Sequence, residues 1–191
     1  MLKKIKSFLG RWLFEIIPVF IGVILALYFS NLKEENEHIK FVDQLKHSII
    51  LEIEGDVKDI DSLRSGESSA MDSLLFYASN DTMSVYDVLS RTGVIAFPSL
   101  EFSTWSIIQS SGNAFVLEAE TLREMVSMDI MINRHHIESI DGLGDFILRN
   151  MFKKEKDIKM TIYMLLGNNL VLEEQIKSDL LHLKSLIEKP N

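Results

Sequence analysis

Two hydrophobic patterns organise the chain. From Trp12 to Leu32 it reads WLFEIIPVFIGVILALYFSNL, with no charge between Ile16 and Phe29. As a helix, Trp12–Phe29 is about 27 Å long, close to the hydrocarbon thickness of a bilayer. Beyond it, Ile39, Val42, Leu45, Ile49, Ile53, Val57 and Ile60 recur at steps of three and four, the spacing of one helix face opposite a charged one. This helix is expected to continue from the first without a break and to stop at Ser65-Gly66. A short helix over 68–78 follows, then the turn Ser79-Asn80-Asp81-Thr82. Ser84 is placed to cap a helix ending at Gly93, and Ser99, after Pro98, to cap another ending at Gly112. Residues 117–141 hold neither Gly nor Pro and predict one long helix, running on past Gly142 and Gly144. Lys153–Lys156 is a basic link. A last helix over 172–188 presents Ile176, Leu180, Leu183 and Ile187 on one face. The fold class is all-α: one N-terminal transmembrane helix continuing into an antiparallel helical bundle.

Charge gives this pattern a direction. Lys3, Lys4, Lys6 and Arg11 lie in residues 1–11 with no acid, whereas Glu34, Glu35 and Glu37 follow the apolar run. By the positive-inside rule residues 1–11 are a cytoplasmic tail, 12–32 the anchor, and 33–191 a domain outside. In a bacterium that is the inner (cytoplasmic) membrane with a periplasmic domain. Trp12 and Tyr28 stand near the ends of the run, where amphipathic rings favour the interface. A cleavable signal is the main rival, but Tyr28, Phe29 and Asn31 spoil the small-residue cleavage site it needs. A buried soluble helix is the other. The net charge of −8 argues against nucleic-acid binding, which needs clustered Lys and Arg. No cysteine is present, so disulfides and thiol chemistry are excluded.

Inside the span, Glu15 lies one turn after Arg11. It reads first as a snorkelling carboxylate near the cytoplasmic edge, and second as a proton-responsive or partner-pairing acid. Pro18, Gly22, Ala26 and Ser30 recur every four residues. Small side chains at that spacing let two membrane helices approach closely, pointing to a homo-oligomer or to another membrane protein as partner.

Residues 15–27 (EIIPVFIGVILAL), with Asn31 and Glu34, resemble the opening of a family of uncharacterised single-pass membrane proteins of Bacteroidota-type bacteria. Residues 102–113 (FSTWSIIQSSGN) are similar to its second patch, with Trp105 where an aromatic is usual. Pro18 and Leu32 depart from the pattern. The family is a domain of unknown function, so the resemblance implies topology and no activity.

Candidate chemistry is sparse. His135 and Glu138 share a helix face, half of a di-metal carboxylate set whose other half is missing, since His38, His47 and His182 have no such partners. Met128, Met131 and His135 lie together on a face nearly opposite Leu122, Val126, Ile130, Ile137 and Ile140, which read as the core face. Such a thioether and imidazole set suits Cu(I), although methionine as adaptable packing is far commoner. No nucleophile elbow, phosphate loop or HExxH occurs, and Gly142-Leu143-Gly144 lacks the third glycine and the strand of a dinucleotide motif. No cofactor and no enzyme activity are expected. The residues point to a membrane-anchored, non-enzymatic assembly module, with an extracytoplasmic sensor or ligand-binding bundle as the alternative.

Overall fold

A computed structural model describes the backbone of residues 2–92, 95–100, 102–111 and 117–189, and their side chains from residue 20 onward except residue 111. The described residues form helices and no strand: α1 (Leu2–Phe76), α2 (Val85–Leu89), α3 (Ser103–Ser111), α4 (Ala119–Ile130), a π-turn (Met131–His136), α5 (Ile137–Asn150) and α6 (Lys156–Ile187). The chain divides into two units, Met1–Gln44 and Leu45–Asn191. The first is a stretch of α1 alone, and its side chains from Phe20 to Phe41 are exposed. Among the described residues no helix is long and apolar enough to cross a membrane. Of the apolar run Ile16–Phe29, only the part from Phe20 onward has described side chains.

The second unit is built on a seam between α1 and α6. On α1, Ile49, Ile53, Asp56, Ile60, Leu63, Glu67, Ala70 and Leu74 alternate steps of four and three. On α6, Lys159, Ile162, Leu166, Asn169, Glu173, Ile176, Leu180, Leu183 and Ile187 do the same. All but Leu63 are buried, as expected where two helices mesh side chains at heptad spacing. Steps forward along α1 are matched by equal steps back along α6. Glu54 pairs with Lys184 (2.6 Å), Asp61 with Lys177 (2.5 Å), Arg64 with Glu174, and Met71 touches Gly167. The two helices are therefore antiparallel.

Two apolar clusters fill this unit. One joins Leu45–Ile60 of α1, Trp105 and Ile108 of α3, Met125, Met128 and Ile132, and Ile176–Ile187 of α6. The other joins Ala70 and Leu74, Val85 and Val88 of α2, Leu143 of α5, and Ile162 and Leu166. Both α1 and the α4–α5 rod run from the first cluster to the second. The expectation of a wholly antiparallel bundle is thus corrected: these two rods run the same way, α6 runs back, and residues 77–118 return along the outside.

Other expectations need amending for physical reasons. Ser65-Gly66 does not stop α1, because seam contacts on both sides of it outweigh the glycine. Ser84 caps α2 through a full capping box with Asp87, but α2 ends at Leu89, and Gly93 lies outside the described residues. Ser99 caps nothing in the structure. Instead α3 starts at Ser103, where the Glu52 carboxylate of α1 accepts from the Ser103 (2.7 Å) and Thr104 amides, satisfying donors that a helix start leaves free. Gly112 is outside the described residues. The predicted long helix is present from Ala119 to Asn150, but the π-turn interrupts its hydrogen bonding. One extra residue in a turn rotates the following face by about 100°, and α5 accordingly packs into the other cluster. The last helix begins at Lys156, well before 172, because its seam spacing extends through Gly167 and two asparagines.

Gly167 marks the closest approach: a β-carbon there meets Met71 Cε at 3.3 Å. Gly167→Ala is expected to change stability by less than about 1 kcal/mol, since the gain in helix propensity offsets a small movement of the flexible Met71. Gly167→Leu should cost about 1–3 kcal/mol by overpacking, most of it recovered by adding Met71→Ala. Urea denaturation of the variants checks this, and equal losses with and without Met71→Ala would refute the contact.

Candidate functional site

Between the two clusters the seam is polar. Glu67 of α1 and Asn169 and Glu173 of α6 occupy consecutive seam layers, each at most 1% exposed. The Asn169 amide nitrogen donates to Glu173 Oε1 at 2.7 Å and to Glu67 Oε2 at 3.4 Å. The Glu173 carboxyl in turn hydrogen-bonds Glu67. Burial, then the adjacent Glu67 charge, push Glu173 up to about 8, and burial also raises Glu67. Both shifts follow from removing two carboxyls from water and placing them side by side. At neutral pH the pair shares a proton that sits on Glu173. Arg64, paired with Glu174 at the surface, favours the charged forms of both acids but does not overcome burial. Glu67 Oε1, Asn169 Oδ1 and Glu173 Oε2 are buried without a hydrogen-bond partner. Chemically, this layer is a buried proton-binding site. No histidine, hydroxyl nucleophile or cation is hydrogen-bonded to it.

Two further buried polar groups fix the return segment. Lys159, fully buried, donates from Nζ to the carbonyls of Asn80 (2.6 Å) and Tyr77 (3.2 Å) just past the end of α1; burial lowers its pKa. His136 in the π-turn points Nε2 at the Pro98 carbonyl (3.3 Å). A carbonyl can only accept, so that nitrogen carries the proton. Burial lowers the His136 pKa, favouring neutral imidazole.

The sequence-derived candidates are placed differently. Met128 is in the core, Met131 packs against the same cluster, and His135 is exposed. The methionine side of α4 therefore faces inward. The face read as core faces outward, with Val126, Ile130 and Ile137 each more than 40% exposed. His135 and His136 do not form a solvated pair, since His136 is buried. Among the described residues no group of three or more His, Asp or Glu is arranged to hold a metal ion. Gly22 has nothing within 4 Å of a β-carbon built on it, and Ala26 and Ser30 are exposed, with Ser30 Oγ 3.4 Å from Glu34. The side chains of Glu15 and Pro18 lie outside the described residues. Glu67, Asn169 and Glu173 escaped the hydrophobic pattern because they interrupt it. Extending the three-four spacing back from Ile176 would have landed on Glu173 and Asn169.

No known protein family, curated protein or solved structure matches the chain.

The shifted acids make stability depend on pH. Glu173 has a folded pKa raised from 4.5 to about 8, so its proton is bound more tightly in the folded state. Its contribution is fully present below pH 4.5 and is lost as pH rises through about 8, at a slope of up to about 1.4 kcal/mol per pH unit. Glu67, also raised, acts in the same direction. Glu173→Gln copies the neutral form and should flatten this fall between pH 5 and 9. Denaturation midpoints across that range decide the matter; parallel curves for both proteins would show that Glu173 does not titrate in the fold.

Proposed function

We propose that the chain is a membrane-anchored, non-enzymatic helical module of the bacterial cell envelope, acting by assembly with a second copy or with another membrane protein. The observation that carries this is the uncovered apolar surface of α1. Phe20 (65% exposed), Leu27 (60%) and Phe29 (64%) lie on different sides of the helix, so its apolar residues face outward all round. Water disfavours such a surface, and a bilayer accepts it. The reading takes the first two turns of the anchor, residues 12–19, from the sequence. The basic residues before it support a cytoplasmic N-terminus, an inner-membrane location and a periplasmic domain over 33–191. The resemblance carried by residues 15–34 and 102–113 supports the same topology. Gly22, Ala26 and Ser30 leave one side of the span narrow, as helix association in lipid requires. The second reading, an extracytoplasmic sensor signalling through a partner, is favoured by the buried proton-binding layer.

A reporter fused after Asn191 is expected to be active only outside the cytoplasm, and neutralising Lys3, Lys4, Lys6 and Arg11 should weaken that orientation. Cytoplasmic activity of the unaltered fusion would sink the proposal. Replacing Gly22 and Ala26 with Ile should reduce self-association in a membrane two-hybrid assay. Ile at Val23 and Leu27 should not, and equal effects at both pairs would remove the stripe from the argument.

A further inference from the structure

The second cluster ends in a surface groove of about 330 Å³, at the small end of ligand sites. Its walls come from α2 (Val85, Tyr86, Leu89), residues 95–97 (Ile95, Phe97) and α5 (Ile147). Ser90 supplies the one polar side chain, and its hydroxyl already donates to the Asp87 carbonyl at 3.2 Å. An occupant's body must therefore be apolar, because nothing in the groove is free to answer a polar group. Gly144 forms part of the wall, with open space where a side chain would project. A glycine inside a helix lowers its stability, and here the missing side chain keeps the groove open.

Size and charge narrow the occupant. Ten residues line the groove, whereas a stable protein interface uses about twenty to thirty on each side. The fit is to a single narrow chain. At the rim stand Arg91, which follows Ser90, and Lys153 and Lys154, which follow Met151. The Val85 and Tyr86 amides donate to the carbonyls of Lys153 and Met151, so the basic segment lies along the start of α2. The acids nearby are already engaged. Asp87 accepts from Ser84, Glu155 accepts from the Lys154 amide, and Asp81 favours the charged form of buried Lys159. An anionic head thus meets cations at the mouth of an apolar slot.

We propose that this groove binds the apolar chain of a single-chain carboxylate amphiphile, of the fatty-acid type, with its carboxylate at Arg91, Lys153 and Lys154. The test uses the full chain in bilayer nanodiscs, with dodecanoate carrying a photoreactive diazirine at its chain end. Irradiation should label groove residues of α2 and α5 saturably, and unlabelled dodecanoate should compete. Gly144→Leu should lower the affinity about tenfold, the loss that follows from excluding two or so methylenes. Gly142→Leu is the matched control. It lies on the same helix and is equally free of contacts, but outside the groove, so it should leave labelling unchanged. The dodecanol analogue should label several-fold less, a difference that Lys153→Gln with Lys154→Gln removes. Far-UV circular dichroism confirms that each variant is folded, and competition in the unaltered chain reads the site even if one is not. Label confined to residues 20–32, label that does not saturate, equal loss in the two glycine variants, or equal labelling by the alcohol would each overturn the proposal.

Discussion

The architecture of the second unit rests on one constraint, the register of α6 along α1. Aliphatic seams at heptad spacing are prone to slip by seven residues, because every layer resembles the next. The flanking ion pairs do little to prevent it. A slip of one heptad would bring Lys177 to Glu54, or in the other direction Lys184 to Asp61, so one pair survives either way. Exposed pairs are also worth at most about 1 kcal/mol each. The polar layer has no such degeneracy. A slip would set Asn169 and Glu173 against Ile60 or Leu74 and leave Glu67 facing aliphatic side chains. Each stranded polar group then costs about 1–3 kcal/mol. The layer thus excludes alternative registers, at some cost in stability relative to an aliphatic seam.

Everything packed on that pair follows its register. The α4–α5 rod crosses the same boundary, and the π-turn lies between its residues of the first cluster and those of the second. A straight α-helix there would keep one face throughout; the extra residue lets α4 present Met125, Met128 and Ile132 to one cluster and α5 present Leu143 to the other. His136 in that turn holds the returning chain at Pro98, Lys159 holds it at Tyr77 and Asn80, and Glu52 caps α3. These contacts join residues 38 to 82 positions apart, and none leaves a local signature.

That separation explains what the sequence made legible. The three-four spacing of Leu45, Ile49, Ile53 and Ile60, and of Ile176, Leu180, Leu183 and Ile187, marks seam positions correctly, because aliphatic side chains and burial coincide there. It fails where polar residues occupy the same geometric positions, so Glu67, Asn169, Glu173 and Lys159 were invisible and α6 was cut short. It also fails on α4, which is apolar on two sides. Composition favoured branched Val126, Ile130 and Ile137 for the core, yet the unbranched Met125 and Met128 fill it, as adaptable side chains suit an irregular interior. The outward Val126, Ile130 and Ile137 lie four and seven residues apart, a line rather than scattered exposures. On the assembly reading, such a line is where a partner gains most by covering the surface.

The layer that fixes the register also makes it respond to protons. With one proton between Glu67 and Glu173, the pair carries a single charge, opposed by Arg64 at the surface and solvated by the Asn169 amide. Removing that proton places two negative charges in contact inside a region that excludes water, where their repulsion is much less screened than at the surface. The aliphatic clusters on either side are indifferent to pH. The strain of ionisation therefore falls on the α1–α6 contact and on the turns of α6 next to Gly167, where the missing side chain already reduces packing. A seam with an aliphatic layer at these positions would have neither property, since the polarity that excludes the wrong registers is the polarity that titrates.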